Sequence, residues 1–75
     1  MRRVEVVYVT HDEAFNTLEF STGTVREAAA AAARKVETSK AVDRMLSLAL
    51  TNGSAVSVWA DDVREIIVHD VEGEE

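Results

Sequence analysis

The chain has 75 residues, contains neither cysteine nor proline, and carries a formal net charge of −6 at pH 7. This length allows one domain, which buries only about 60% of the surface that its unfolded chain exposes. The missing cysteines exclude disulfides and thiolate metal sites as supports for the fold. With 47% hydrophobic and 29% charged residues the composition is globular, so we expect the remaining support to come from self-association or a partner.

The net negative charge lies entirely at the C-terminal end of the chain. Residues 1–60 hold seven acidic and seven basic side chains, whereas residues 61–75 hold seven acidic side chains and one basic, Arg64. Nucleic-acid binding requires a basic face for phosphate contacts, so nucleic acid is not an expected partner. The apolar run at residues 6–9 is too short for a signal sequence or a membrane span. We therefore expect a cytoplasmic protein with no membrane partner.

The N-terminal part of the chain predicts a β-hairpin. Residues 3–10 are rich in β-branched and aromatic side chains, and residues 15–21 form a second such segment after a polar turn at residues 11–14. Because side chains alternate along a strand, Leu18 and Phe20 are expected on one face of the second strand.

A helix is expected to follow the hairpin. Thr24 and Glu27 have the spacing of a capping box, in which each side chain accepts a hydrogen bond from the other residue's backbone amide. Six consecutive alanines at residues 28–33 continue the helix to about Glu37. A break is expected at residues 38–40, because the apolar side chains beyond lie about 100° round the helix axis from those before. The apolar stripe of this helix consists of Val25, Ala28, Ala29, Ala32 and Val36.

Residues 41–50 are compatible with two structures. As a second short helix, they would end at a cap formed by Asn52 and Gly53. As a strand, they would turn at residues 51–53 through a type I turn with a glycine bulge, which pairs Leu48 with Val56. The strand is slightly favoured, because a helix leaves Leu48 among polar side chains.

Two further strands are expected at residues 55–60 and 63–71, joined by a turn at Asp61 and Asp62. Residues 1–71 are therefore expected to form a single α+β domain, followed by an acidic tail at residues 72–75. Its predicted fold is an antiparallel sheet of four to five strands, with one helix (or two short helices) on one face. The predicted order is β-β-α-(β or α)-β-β.

Two of the predicted strands are apolar on both faces, although one helix covers only one face of a small sheet. A second copy of the chain is the simplest cover for the other face, so the sequence predicts a homo-oligomer. A sheet that curls into a barrel within one chain is the alternative. The predicted oligomer interface consists of Val7, Val9, Val63, Ile67 and Val71.

The sequence contains no convincing site for chemistry, so we predict neither an enzyme nor a cofactor or metal. Two histidine–carboxylate clusters occur, at residues 11–13 and at His69–Asp70, but adjacent strand residues point to opposite faces and do not ligate one ion together. No serine lies in a nucleophile-elbow motif, and the isolated glycines form no phosphate-binding loop.

The single tryptophan and the charges near the C-terminus suggest a protein-interaction surface. Tryptophan is enriched among the residues that dominate protein interfaces, although a core position for it stays open. The acidic residues are interpreted either as part of such a surface or as charge that keeps the protein soluble. As part of a surface, they could mimic nucleic-acid phosphate and so occupy a DNA- or RNA-binding protein. The predicted interaction residues are Trp59, Asp61, Asp62, Arg64 and Asp70.

Residues 50–66, with the sequence LTNGSAVSVWADDVREI, have a turn, a strand, a short turn and the start of a V-x-x-I strand. Together with the short β-β-α-β-β layout and six arginines against two lysines, this segment resembles small actinobacterial and actinobacteriophage single-domain proteins of unknown function. The resemblance covers under a third of the chain and transfers no catalytic residue. It implies a single-domain accessory protein.

The function expected from the sequence is a small cytoplasmic, homo-oligomeric protein-interaction module of a phage or mobile element, acting on a host or phage protein. One alternative is a nucleic-acid-related regulator that uses Arg2, Arg3, Arg26 and Arg34, or a nucleic-acid mimic. The other alternative is a small-ligand sensor with its pocket at a subunit interface.

Overall fold

The computed structural model describes residues 2–21 and 23–71, so the acidic tail expected at residues 72–75 lies outside the described residues. Within the described ranges the chain is α+β with a single α-helix. A one-turn 3-10 helix at Ala60–Asp62 precedes the last strand. The elements are β1 (Arg2–Val9), β2 (Ala14–Ser21), α1 (Val25–Val42), β3 (Met45–Ala49), β4 (Ala55–Trp59) and β5 (Glu65–Asp70). No helix of the described part is long and apolar enough to cross a membrane.

The strands form two sheets rather than the single sheet of four to five strands that was expected. β2, β1 and β5 form a three-stranded antiparallel sheet with β1 in the centre, and β3 and β4 form a hairpin. The two sheets meet at one bridge between Thr17 and Leu50. A helix about 10–12 Å wide covers only two or three strands spaced about 4.8 Å apart. The hairpin must therefore bend round to bury Leu46 and Leu48 in the same core.

The core lies between α1, the three-stranded sheet and the hairpin. Three residues of the predicted helix stripe, Ala28, Ala32 and Val36, are buried, whereas Val25 and Ala29 are half-buried. The small alanines allow the helix to approach the sheet closely. From β1 and β3 come the largest buried side chains, which are Val4, Val6, Tyr8, Leu46 and Leu48.

The predicted capping box at the start of α1 is confirmed. The Thr24 hydroxyl accepts a hydrogen bond from the Glu27 amide at 3.2 Å, and the Glu27 carboxylate accepts one from the Thr24 amide at 2.8 Å. A Cβ atom on Gly23 would collide with that carboxylate. Glycine at this position therefore lets the Glu27 side chain fold back to the start of the helix.

The predicted break at residues 38–40 is wrong, because α1 continues to Val42. The apolar side chains after residue 40 lie on a different side of the helix from those before it. The helix continues nonetheless, because Val42 is left in solvent, with 76% of its surface exposed. The helix ends at Val42, and just beyond it the amides of Asp43 and Arg44 donate to the Ser39 carbonyl at 3.2 and 2.6 Å. Arg44 adopts a left-handed conformation, with φ of 69°.

Residues 45–49 are a strand, which settles the alternative that the sequence left open. Leu48 pairs with Val56, as the predicted turn requires. At the turn, the Gly53 amide donates to the Leu50 carbonyl at 3.1 Å. Gly53 has φ of 91°, in the left-handed region that favours glycine.

A polar network lies at the edge of the core, around the fully buried Tyr8. The Tyr8 hydroxyl donates to the Glu19 carboxylate at 3.1 Å, and the Thr17 hydroxyl lies 3.0 Å from the same oxygen. Burial raises the pKa of Tyr8 well above its usual value, and the charge of Glu19 and its hydrogen bond add to the shift. Tyr8 thus keeps its proton in the folded protein at pH values where an unfolded chain releases it.

Replacing Arg44 by glycine is expected to raise the free energy of unfolding by about 0.5–1 kcal/mol, because the left-handed conformation costs glycine nothing sterically. The midpoint of thermal unfolding should rise by about 2–8 °C. Arg34→Gly is the matched control, since Arg34 is an exposed residue within the helix, where glycine costs about 1 kcal/mol. A loss of stability in Arg44→Gly equal to that in Arg34→Gly would contradict this account of the helix end.

Replacing Tyr8 by phenylalanine is expected to lower the free energy of unfolding near neutral pH by about 1–3 kcal/mol, because the half-buried Glu19 carboxylate loses a donor. In the wild type, the folded-state pKa of Tyr8 is raised, so its stabilising contribution is complete below the unfolded pKa of about 10. Above that pH the contribution falls by about 1.4 kcal/mol per pH unit.

Urea denaturation of both proteins from neutral pH to about pH 11.5 measures this difference. The two free energies of unfolding should run parallel below about pH 9 and converge above about pH 10. Parallel curves across the whole range would show that Tyr8 ionises equally in both states.

Candidate interaction surfaces

The three-stranded sheet has one face that α1 does not cover, called here the outer face. Val4, Val6 and Tyr8 point toward the helix, so the alternate residues of β1 point the other way, and their cross-strand neighbours point with them. From the registers of β1 with β2 and β5, the outer face consists of Arg3, Glu5, Val7, Val9, Ala14, Asn16, Leu18, Phe20, Glu65, Ile67 and His69.

Large apolar side chains are exposed on and beside the outer face. Phe20 is 63% exposed and Leu18 is 44% exposed; Val71, which follows β5, is 47% exposed. Val7 and Ile67 pair with each other across the sheet and are half-buried, although neither belongs to the described core or packs against it. Their partial cover therefore comes from neighbours on the same face.

Four of the five residues predicted for an oligomer interface lie at this surface: Val7, Val9, Ile67 and Val71. The assignment of Val63 to the same surface is wrong, because Val63 packs against the core and lines a cavity together with Val36. It lies in the turn before β5, so the alternation of that strand does not extend back to it.

Two exposed residues of the outer face, Leu18 and Phe20, were not assigned to it from the sequence. Their common face on β2 was predicted, but the register with β1 was not. That register places Leu18 opposite Glu5 and Phe20 opposite Arg3. The alternation of side chains that placed Val7 and Val9 on one face of β1 would also have placed Leu18 and Phe20 there, but only if the register of the hairpin had been known.

The outer face also carries charges of both signs. Arg3 lies near one end of β1, whereas Glu65 pairs with Val9 at the other end. Between them, the Glu5 carboxylate accepts a hydrogen bond from the Asn16 side-chain amide at 2.7 Å. Arg3 and Glu5 thus lie toward one end of the face, and Glu65 lies at the other.

A second surface is an open cleft beside β4, called here the Trp59 cleft. It has a volume of about 360 Å³ and lies between β4 and the turn that joins β1 to β2. Apolar side chains and acidic side chains both contribute to its wall. The lining residues are Thr10, Asp12, Glu13, Phe15, Val56, Ser57, Val58, Trp59 and Asp62.

Trp59 is 56% exposed, so it occupies the surface rather than the core position that the sequence left open. Val56 and Val58 alternate with it and pack against the core. Since aromatic residues anchor many protein interfaces, an exposed tryptophan that lines an open cleft is a candidate contact point.

The predicted interaction residues do not all come together. Asp62 lines the cleft, and Asp61 is exposed in the same turn. Arg64 follows and donates to the His11 ring nitrogen Nδ1 at 2.5 Å. Asp70 is separated from them, because it pairs with Val4 at the opposite end of β5.

The histidine clusters are not brought together either. His69 pairs with Glu5, whereas His11 follows Val9. At 3.3 Å per residue they are at least about 13 Å apart along the sheet. Over residues 2–21 and 23–71, no group of three or more histidine, cysteine or acidic side chains is arranged to hold a metal ion.

The arginines considered for nucleic-acid binding are also divided between different surfaces. Arg3 lies on the outer face, whereas Arg26 and Arg34 lie on α1, which covers the other side of the sheet. Their placement does not form a continuous basic stripe.

Comparison with protein-family models, curated proteins and solved structures finds no match for this chain. The geometry of the outer face and of the Trp59 cleft is therefore what supports a function.

Proposed function

We propose that the protein is a small homo-oligomeric interaction module whose copies pair through the outer face. The observation that carries the proposal is the exposure of Phe20 and Leu18 on a sheet face that the single helix does not reach. An antiparallel sheet with one face in water normally presents polar side chains there. Apolar side chains concentrated on such a face are typical of a contact surface.

Symmetry allows a second copy to occupy this face. Arg3 and Glu65 lie at opposite ends of it. A two-fold axis that reverses the strand direction places the Arg3 end of one copy over the Glu65 end of the other. Symmetric pairing of this kind uses the same surface twice and closes after two subunits.

The size of the face limits the surface that the proposed association can bury. Strands of eight residues are about 26 Å long, and three strands are about 14 Å wide, which gives a flat area of about 370 Å² per copy. A standard stable interface buries about 800 Å² per partner. We therefore expect a reversible dimer rather than an obligate one.

The wider role we propose is that of a cytoplasmic accessory protein, in the host cytoplasm if phage-encoded, that acts by binding another protein and not by catalysis. Its support is the resemblance of residues 50–66 to small actinobacterial and actinobacteriophage proteins, together with the exposed Trp59 in an open cleft.

The double variant Leu18→Lys/Phe20→Glu tests the self-association. It keeps the net charge, and it places lysine opposite Glu5 and glutamate opposite Arg3, so both new cross-strand pairs have opposite charges. In sedimentation equilibrium between about 10 and 500 µM, the wild-type mass should rise from 8.2 kDa toward twice that value. The double variant should remain a monomer.

Val42→Glu is the control for removal of an exposed apolar side chain elsewhere, because Val42 lies at the end of α1, away from the outer face. It should associate as the wild type does. A wild-type protein that stays at 8.2 kDa throughout the range would contradict the proposal. So would equal association of wild type and double variant.

A further inference from the structure

The edge of β4 that faces away from β3 carries main-chain groups with no strand to pair with in the described part of the chain. Hydrogen bonds at the two ends of the hairpin determine which groups these are. The Leu50 amide donates to the Ser54 carbonyl, and the Ala60 amide donates to the Arg44 carbonyl, both at 2.8 Å. Since hydrogen-bonded pairs alternate along an antiparallel ladder, the groups that point away from β3 belong to Ala55, Ser57 and Trp59.

This edge lacks the features with which proteins usually protect an open strand. β4 has the sequence AVSVW, without a charged residue or a proline. β5, which also lies at the edge of a sheet, contains Glu65, His69 and Asp70. Charges and prolines on edge strands prevent pairing with other chains. β3 has no charge or proline either, but its other edge runs beside β2, which it meets at the Thr17–Leu50 bridge. The edge of β4 thus permits another strand to join it.

The Trp59 cleft lies along the same strand and adds side-chain recognition to the open edge. Phe15, Val56 and Val58 give it an apolar wall, and Asp12, Glu13 and Asp62 give it an acidic one. An extended chain that adds to a sheet obtains affinity from main-chain hydrogen bonds and specificity from its alternate side chains.

We propose that the Trp59 cleft binds an extended segment of another protein, with alternating apolar and basic side chains, that adds to β4 as a new strand. The inference specifies the partner class for the interaction module proposed above. It does not require the outer face, because Phe15, the one cleft residue on β2, points to the opposite side of the sheet.

Charge argues for this occupant over two others. The chain's own residues 72–75 include three glutamates and no base, so they have the same sign as the acidic wall. A second copy paired edge to edge at β4 would bring two sets of Asp12, Glu13 and Asp62 together. Like charges placed together oppose association.

The probe is a capped eight-residue peptide of alternating valine and lysine, and its matched control has glutamate in place of lysine. Trp59 is the only tryptophan in the chain, so its fluorescence reports directly on the cleft. The lysine peptide should shift the emission and the amide NMR signals of residues 55, 57 and 59. The glutamate peptide should bind at least about tenfold more weakly, and added salt should weaken the lysine peptide's binding.

Two variants separate main-chain from charge recognition. Ser57→Pro removes an amide that points away from β3, a position where an edge strand tolerates proline, and it should abolish binding. Asp12→Asn/Asp62→Asn should weaken binding about five- to tenfold. Asp61→Asn is the matched control, because Asp61 is exposed in the same turn as Asp62 but does not line the cleft; it should bind as the wild type does.

The variant Leu18→Lys/Phe20→Glu should bind the peptide normally, so failure of self-association and failure of peptide binding are distinguishable. Equal binding of the two peptides would overturn the proposal, as would normal binding by the double asparagine variant. Edge-amide shifts that depend on protein concentration without peptide would assign the edge to a second copy instead.

Discussion

The structure depends on the packing of one helix against one side of a three-stranded sheet. Ala28, Ala32 and Val36 of α1 share a buried core with Val4, Val6 and Tyr8 of the central strand. A single helix is too narrow to cover more strands, so the β3–β4 hairpin bends round to complete the core. It also leaves the opposite side of the sheet open. The core and the outer face are thus two consequences of the same constraint.

The two proposed surfaces share no side chain, and this separation has a functional consequence. Pairing through the outer face uses the outward side chains of β1, β2 and β5, whereas the Trp59 cleft uses β4, the turn between β1 and β2, and Phe15 of β2, which points to the helix side of the sheet. A dimer formed in the proposed way would therefore present two clefts. Two weak sites on one particle bind a partner with repeated segments more strongly than either site alone, if both can be reached together.

Much of the fold was predictable because its signals are local. The capping box at Thr24 and Glu27 and the pairing of Leu48 with Val56 follow from spacing along a short stretch of chain. Non-local features were not predictable. The helix continues through residues 38–40, and Val42 is left exposed instead of being turned inward by a break. Val63 packs against the core because the chain turns before β5. The outer-face positions of Leu18 and Phe20, and the separation of Asp70 from Asp62, depend on register, which no local pattern supplied.

The central claim is that the outer face is an interface, and NMR at increasing protein concentration locates such an interface directly. The account predicts concentration-dependent shifts or broadening of the methyl signals of Val7, Leu18 and Ile67, whose side chains lie on that face. The methyl signals of Val42 and of the exposed helix alanines should stay constant. Constant signals on the outer face, or changes confined to α1, would contradict the account.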